Sequence, residues 1–227
     1  MTQDQQKAAA AAAAVDLVEP GMTVGLGTGS TAKLFIEALA GRALPIRCVP
    51  TSEASGALAR SLGLAVLELD EVEHIDLTID GADEVGPGLA LIKGGGAALL
   101  REKLVWSASL RCVVIADASK SVPRLGRFPL PVEVTPFGHR GTAGRLEAAA
   151  SSIGLQVRPA LRLGDGVPVR TDSGNLIYDL ACGVIEDPSG LAAALKSVTG
   201  VVDHGLFLGL AERALVADDD GVIALYP

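Results

Sequence analysis

Residues 22–40, MTVGLGTGSTAKLFIEALA, hold an apolar strand, MTVGL, then a glycine turn, then a helix from Ser30 to Ala40. Strand, tight glycine loop and helix in that order form half of the crossover unit that joins parallel strands. The alternation continues on both sides. Upstream lies an alanine-rich helix from residue 3 to Glu19. Downstream come strand IRCVP, a helix over residues 52–62, a weaker strand near AVLEL, strand HIDLTID at 74–80, a helix over residues 97–109 and the apolar strand RCVVIA. This pattern predicts an α/β fold on an open, mostly parallel, Rossmann-like sheet. Such sheets bind ligands outside the carboxyl ends of their strands. That rule points to four segments: GTGST, TSEAS, DGADE and ADASK.

After RFPLPVEVTPFG the character changes. A helix around residues 141–153 is followed by three strand candidates, GLQVRP, VPVRT and GNLIYDL, and by a helix across PSGLAAALKSV. This order predicts a smaller α+β module of ferredoxin-like type, inserted at residues 129–204 into a sheet domain made of residues 1–128 and 205–227.

Composition narrows the function classes. With 227 residues, 49% of them hydrophobic and 20% charged, the chain is long and apolar enough for a sizeable core. Nineteen Lys and Arg against 27 Asp and Glu give a net charge of -8 with no basic cluster, which argues against nucleic acid as a partner. Cys48, Cys112 and Cys182 stand far apart and match no zinc or redox spacing, so they read as buried thiols of a cytoplasmic protein. The opening MTQDQQKAAAAAAAV has Lys7 as its only early cation, with Asp4 before it, and reads as a helix rather than a signal peptide. No apolar run approaches the roughly 18 residues of a membrane span.

Each motif has a plain alternative. GLGTGSTA, residues 25–32, places Ser30 where a dinucleotide fingerprint needs its third glycine, and no acid ends the following strand IRCVP, so NAD is disfavoured. What remains is either an anion loop of Thr28, Ser30 and Thr31 at a helix N-terminus or a glycine turn with Ser30 as N-cap. In DGADEV, Asp80 and Asp83 are either an Asx turn or a pair of coupled carboxylates at the sheet edge. KGGGAALLREK, residues 93–103, puts Lys93 before its glycines, the wrong side for a P-loop. Its glycines still offer backbone N–H groups to a ligand. Helical periodicity makes Ala97, Leu100, Leu104 and Ala108 the buried stripe and turns Glu102 toward solvent. His74, His139 and His204 show no metal-ligand spacing.

GLGTGSTA, TSEAS, DGADEV, KGGGAALLREK and ADASK, in this order and spacing, resemble ribose-5-phosphate isomerase of the A type, and the similarity runs through GNLIYDL to the GLF near the end. The resemblance implies an aldose-ketose isomerase acting through an enediolate on ribose 5-phosphate and ribulose 5-phosphate, without metal or cofactor. It implies Glu102 as the base that moves the proton between carbons, Asp80 for ring opening, and Asp83 and Lys93 to hold and tune the sugar. It further implies substrate binding by Lys7, Thr28, Gly29, Ser30, Thr31, Gly81, Ala82, Gly94, Gly95, Gly96 and Lys120, and a homo-oligomer, a dimer or tetramer. Two rivals stay open: an amino-sugar-phosphate isomerase or deaminase, told apart by ammonia release, and a sugar-phosphate sensing domain without turnover.

Overall fold

Helix α1, Gln3–Val15, begins at a capping box in which the Thr2 hydroxyl accepts from the Gln5 N–H and the Gln5 side chain accepts from the Thr2 N–H. It ends four residues short of the expected Glu19. The turn that follows is held by bonds from the Leu17 and Val18 N–H groups to the Ala14 and Val15 carbonyls. Ala10, Ala11, Ala14 and Val15 are its buried residues, and their small side chains let the helix lie close on the core.

The computed structural model describes all 227 residues and divides into two units. The first comprises Met1–Ala82, Arg101–Ser121 and Gly209–Pro227, and the second Asp83–Leu100 and Val122–Leu208. In the first, seven strands form one sheet in the order Val222–Leu225, Arg213–Ala217, Cys112–Asp117, Leu77–Asp80, Thr23–Leu26, Arg47–Pro50, Ala65–Val66. All neighbours are parallel except the outermost pair, Val222–Leu225 with Arg213–Ala217. The fold class is therefore α/β with a largely parallel sheet. Helices α2 (Ser30–Ala40), α3 (Glu53–Ser61) and α4 (Leu99–Ser107) follow their strands as expected. Val24, Leu26, Leu77, Ile79, Val113 and Ile115 from the central strands pack with Phe35, Ile36 and Leu39 of α2 and the alanines of α1. Each of the larger side chains contributes about 1.5 to 3 kcal/mol on burial.

In the second unit, α5 (His139–Ser152) and α6 (Pro188–Lys196) accompany an antiparallel sheet ordered Val201–His204, Leu130–Val134, Leu176–Leu180, Pro159–Leu161. In chain order this is β-α-β-β-α-β. Strand Leu130–Val134 escaped the sequence reading because Pro131 and Glu133 interrupt its apolar character, yet it pairs on both sides. GLQVRP contributes only its last residue to a strand, Pro159–Leu161.

The second unit also takes residues 83–100, 122–128 and 205–208, which were expected in the sheet domain. Backbone pairing is the reason: Leu91–Ile92 lies antiparallel to both Glu84–Val85 and Leu206–Phe207, and the Val122 N–H donates to the Val85 carbonyl. All three cysteines are free and buried. Burial pushes the Cys48 thiol up to about 12 and the Cys182 thiol to about 11. No helix is long and apolar enough to cross a membrane.

Candidate active site

In the first unit the carboxyl end of strand Leu77–Asp80 delivers Asp80, fully buried, beside the turn after strand Thr23–Leu26. Its Oδ1 accepts from the Thr28 N–H at 3.1 Å and the Gly81 N–H at 2.7 Å, and its Oδ2 accepts from the Trp106 indole at 3.2 Å. Three N–H donors thus hold one carboxylate in a set orientation. Gly27 makes this possible, because a Cβ there would stand 2.1 Å from Asp80 Oδ1.

The Thr28 hydroxyl is tied to Thr51 Oγ1 at 2.7 Å, Ser52 Oγ at 2.8 Å and Ser55 Oγ at 3.3 Å. Ser55 Oγ also donates to the Gly27 carbonyl at 2.6 Å. This network comes from TSEAS at the start of α3, where Ser52 also serves as N-cap by accepting from the Ser55 N–H. It locks the loop that opens α2. There the N-cap is Gly29, at φ 114°, and no side chain caps the helix. The turn with Ser30 as N-cap is therefore not what forms. Ser30 is the first helical residue and exposed, Thr31 is buried, and no side chain caps the first-turn N–H groups.

Lys7 lies on α1 with Asp4 at 3.6 Å, and Lys120 ends the short 3-10 turn Ala118–Lys120. The start of α1 is anchored at that turn: Gln3 Nε2 donates to Asp117 Oδ1 at 3.2 Å and to Ser119 Oγ at 3.3 Å. Burial opposes ionisation of Asp117, but hydrogen bonds from Ser119 and Gln3 and the Lys120 charge outweigh it and hold the carboxyl below its ordinary value.

Glu102 requires a correction. It is only 4% exposed, whereas Leu104, assigned to the buried stripe, is 50% exposed. The buried face of α4 is Leu99, Glu102, Val105 and Trp106, a rotation of the expected phase. Burial of the large Trp106 and Val105 sets the phase, and it carries Glu102 inward with them. Ala97, at φ 58°, is left-handed, so α4 starts at Leu99 and Glu102 stands in its first turn.

The remaining sequence-predicted residues lie in the second unit. The Asp83 N–H donates to the Ile92 carbonyl at 2.8 Å, and Asp83 Oδ2 accepts from the Gly95 N–H at 2.7 Å. Lys93 is 2% exposed, its Nζ 5.4 Å from the centre of the Phe207 ring, and its N–H donates to the Gly205 carbonyl. Gly94, at φ 104°, needs glycine on two counts, since a Cβ would also stand 2.9 Å from Leu99 Cδ2. Gly96 is exposed. Glu133, in strand Leu130–Val134, is fully buried, and Thr171 Oγ1 and Asn175 Nδ2 each donate to its Oε1 at 2.9 Å. Burial pushes its carboxyl up despite these donors.

The family model of ribose 5-phosphate isomerase A (phosphoriboisomerase A) matches residues 47–221. The chain is 64% identical over 228 residues to ribose-5-phosphate isomerase A of Caulobacter vibrioides (strain NA1000 / CB15N), with 100% of both chains covered. The chain belongs to the ribose-5-phosphate isomerase A family. Among solved members, that of Neisseria gonorrhoeae shares 39% identity at a TM-score of 0.92, covering 100% of this chain and 98% of its own. Another, a D-ribose-5-phosphate isomerase in complex with phospho-erythronic acid, shares 34% identity at a TM-score of 0.92 with 100% of both chains covered.

Several residues of this ribose-5-phosphate isomerase A family member support the motif residues without a local sequence signal for that role. TSEAS stands out in the sequence as a segment at a strand's carboxyl end, but nothing local assigns a role to Thr51, Ser52 and Ser55, whose hydroxyls face Thr28. Trp106 is the sole tryptophan, and a buried indole N–H usually has a partner, which here is Asp80. Arg162 lies 67 positions beyond Gly95 and carried no local signal.

Proposed function

We propose that this protein interconverts D-ribose 5-phosphate and D-ribulose 5-phosphate in the non-oxidative pentose phosphate pathway. The observation that carries the reading is Asp80, buried and held by three N–H donors directly beside the Thr28–Thr31 anion loop. A carboxylate beside a phosphate-ready loop suits a substrate with a phosphate at one end and a reactive sugar at the other. Remote phosphate binding then becomes orientation at the reacting carbons.

In the proposed mechanism, Ser30, Thr31 and the first-turn N–H groups of α2 take the phosphate, with Lys7 and Lys120 adding positive charge. Thr28 and Gly29 shape the loop. Asp80 moves the proton that opens the furanose ring, with Gly81 and Ala82 following along the same backbone. Glu102 removes the proton from C2 and returns it at C1, leaving an enediolate between the two transfers. Lys93 and the N–H groups of Gly94 and Gly96 stabilise the developing oxyanion, while the Gly95 N–H holds Asp83, which in turn holds a sugar hydroxyl. A preorganised donor of this kind is worth ~3 to 4 kcal/mol in the transition state. The route uses side chains and backbone alone, and the enzyme works in the cytoplasm as a homodimer or tetramer.

The test is direct: purified protein is incubated with ribose 5-phosphate and ketose formation is followed. Turnover with no ammonia released from an amino-sugar phosphate is the expected result. Ammonia release without ketopentose formation would favour the deaminase reading, and tight binding without turnover would favour a sensor.

A further inference from the structure

We infer that Arg162, braced by Asp179, is a positioning residue for the isomerisation: it holds the peptide between Gly94 and Gly95, and through that peptide it holds Asp83. The inference rests on the function proposed above.

Arg162 Nη1 donates to the Gly94 carbonyl at 2.8 Å and to the Gly95 carbonyl at 3.1 Å. Its Nε donates to Asp179 Oδ2 at 2.9 Å, and its Nη2 donates to Asp179 Oδ1. The sheet presets this pair. Asp179 lies within strand Leu176–Leu180, Arg162 directly follows strand Pro159–Leu161, Tyr178 faces Leu161, and the Arg162 N–H donates to the Ile177 carbonyl. The two side chains are 15% and 25% exposed, so the bidentate pair is shielded beyond an ordinary surface ion pair.

The Gly94 carbonyl and the Gly95 N–H belong to one planar peptide and point in opposite directions. The Gly95 N–H is the group that donates to Asp83 Oδ2 at 2.7 Å. Fixing the carbonyl at one end therefore fixes the donor at the other, and a cation on the oxygen polarises the peptide and strengthens its N–H. The brace is needed because consecutive glycines resist rotation least. Nor can side chains stiffen the loop, since a Cβ on Gly95 would stand 2.6 Å from Asp83 Oδ1. A lysine at position 162 would lack the planar fork that reaches two carbonyls and a carboxylate together.

The experiment compares wild type, Arg162→Ala, Arg162→Lys and Asp179→Asn. It reads kcat and KM for ribose 5-phosphate, exchange of the Gly95 amide by NMR, and recovery on adding guanidinium at millimolar concentration. For Arg162→Ala we expect kcat to fall about 30-fold with KM within about 3-fold, since positioning of a reacting group is felt in the transition state. Guanidinium should restore several-fold of the loss, Arg162→Lys should recover little of it, and the Gly95 amide should exchange at least about 10-fold faster. Wild-type kcat in Arg162→Ala, or an unchanged Gly95 amide, overturns the inference. If Arg162→Ala does not fold, Asp179→Asn and Arg162→Lys decide it, and unchanged kcat in both overturns it. Should wild type itself fail to isomerise ribose 5-phosphate, the proposed function falls, while the Gly95 exchange comparison still decides whether the brace exists.

Discussion

The indole N–H of Trp106 donates to Asp80 Oδ2 at 3.2 Å across 26 positions of sequence, tying the α4 helix to the end of a central strand. The same helix carries Glu102 one turn earlier, so a single buried face sets the proposed base and also steadies the proposed ring-opening acid. Trp106→Phe keeps most of the packing and deletes the donor. We expect kcat/KM to fall roughly 10- to 100-fold, in line with about 1.5 to 3 kcal/mol for a hydrogen bond to a charged group. Steady-state kinetics beside a melting curve checks it: a drop in stability with unchanged kcat/KM would leave Trp106 a core residue only.

Glu102→Gln preserves shape and burial but cannot accept a proton. Turnover should fall by about 10³-fold, within the usual range for general acid-base groups, with substrate affinity changed little. Isotope exchange at C2 of ribose 5-phosphate gives the sharper measurement, because solvent proton uptake should vanish along with turnover. A variant that isomerises at the wild-type rate would remove Glu102 from the mechanism.

Gly27→Ala places a methyl 2.1 Å from Asp80 Oδ1 and 2.4 Å from its Cγ. The Asp80 Cα would also stand 2.6 Å away, so the end of the strand must shift along with the carboxylate. We expect about 1 to 3 kcal/mol of destabilisation from the overpacking, read by urea unfolding, together with a loss of kcat/KM at least as large as that of Trp106→Phe. Full activity would mean that the placement of Asp80 is not critical.

Glu212 makes a prediction about acid stability. Hydrogen bonds from Arg111 at 2.7 Å and from Arg213 hold its carboxyl down to about 2, against an ordinary value near 4.5. A depressed carboxyl contributes stability that is fully present above the ordinary value and is lost as pH falls through about 2. Glu212 is one-third exposed, so solvent screening limits the contribution at neutral pH to roughly 1 kcal/mol. Urea midpoints of Glu212→Gln and wild type should differ at pH 7 and converge between about 4.5 and 2. A gap that is constant with pH would contradict the ion-pair account.

The alternation of strand and helix, the carboxyl-end loops and the glycine turn before α2 were all legible locally, because each depends on residues within a few positions of one another. The smaller unit was harder to read, because Pro131 and Glu133 disguise a strand that is stable only through pairing on both sides.

By itself the chain determines the order of elements and which loops end parallel strands, since periodicity and turn chemistry are short-range. Tertiary packing alone decided the phase of α4. Leu100 and Leu104 argued for one face, and burial of Val105 and Trp106 chose another, turning Glu102 inward. Packing likewise brought Thr51, Ser52 and Ser55 to Thr28, and Arg162 to the Gly94 and Gly95 carbonyls. Hydrogen bonds between residues tens of positions apart leave no periodic trace in sequence, because each is satisfied only once the backbone has brought donor and acceptor together.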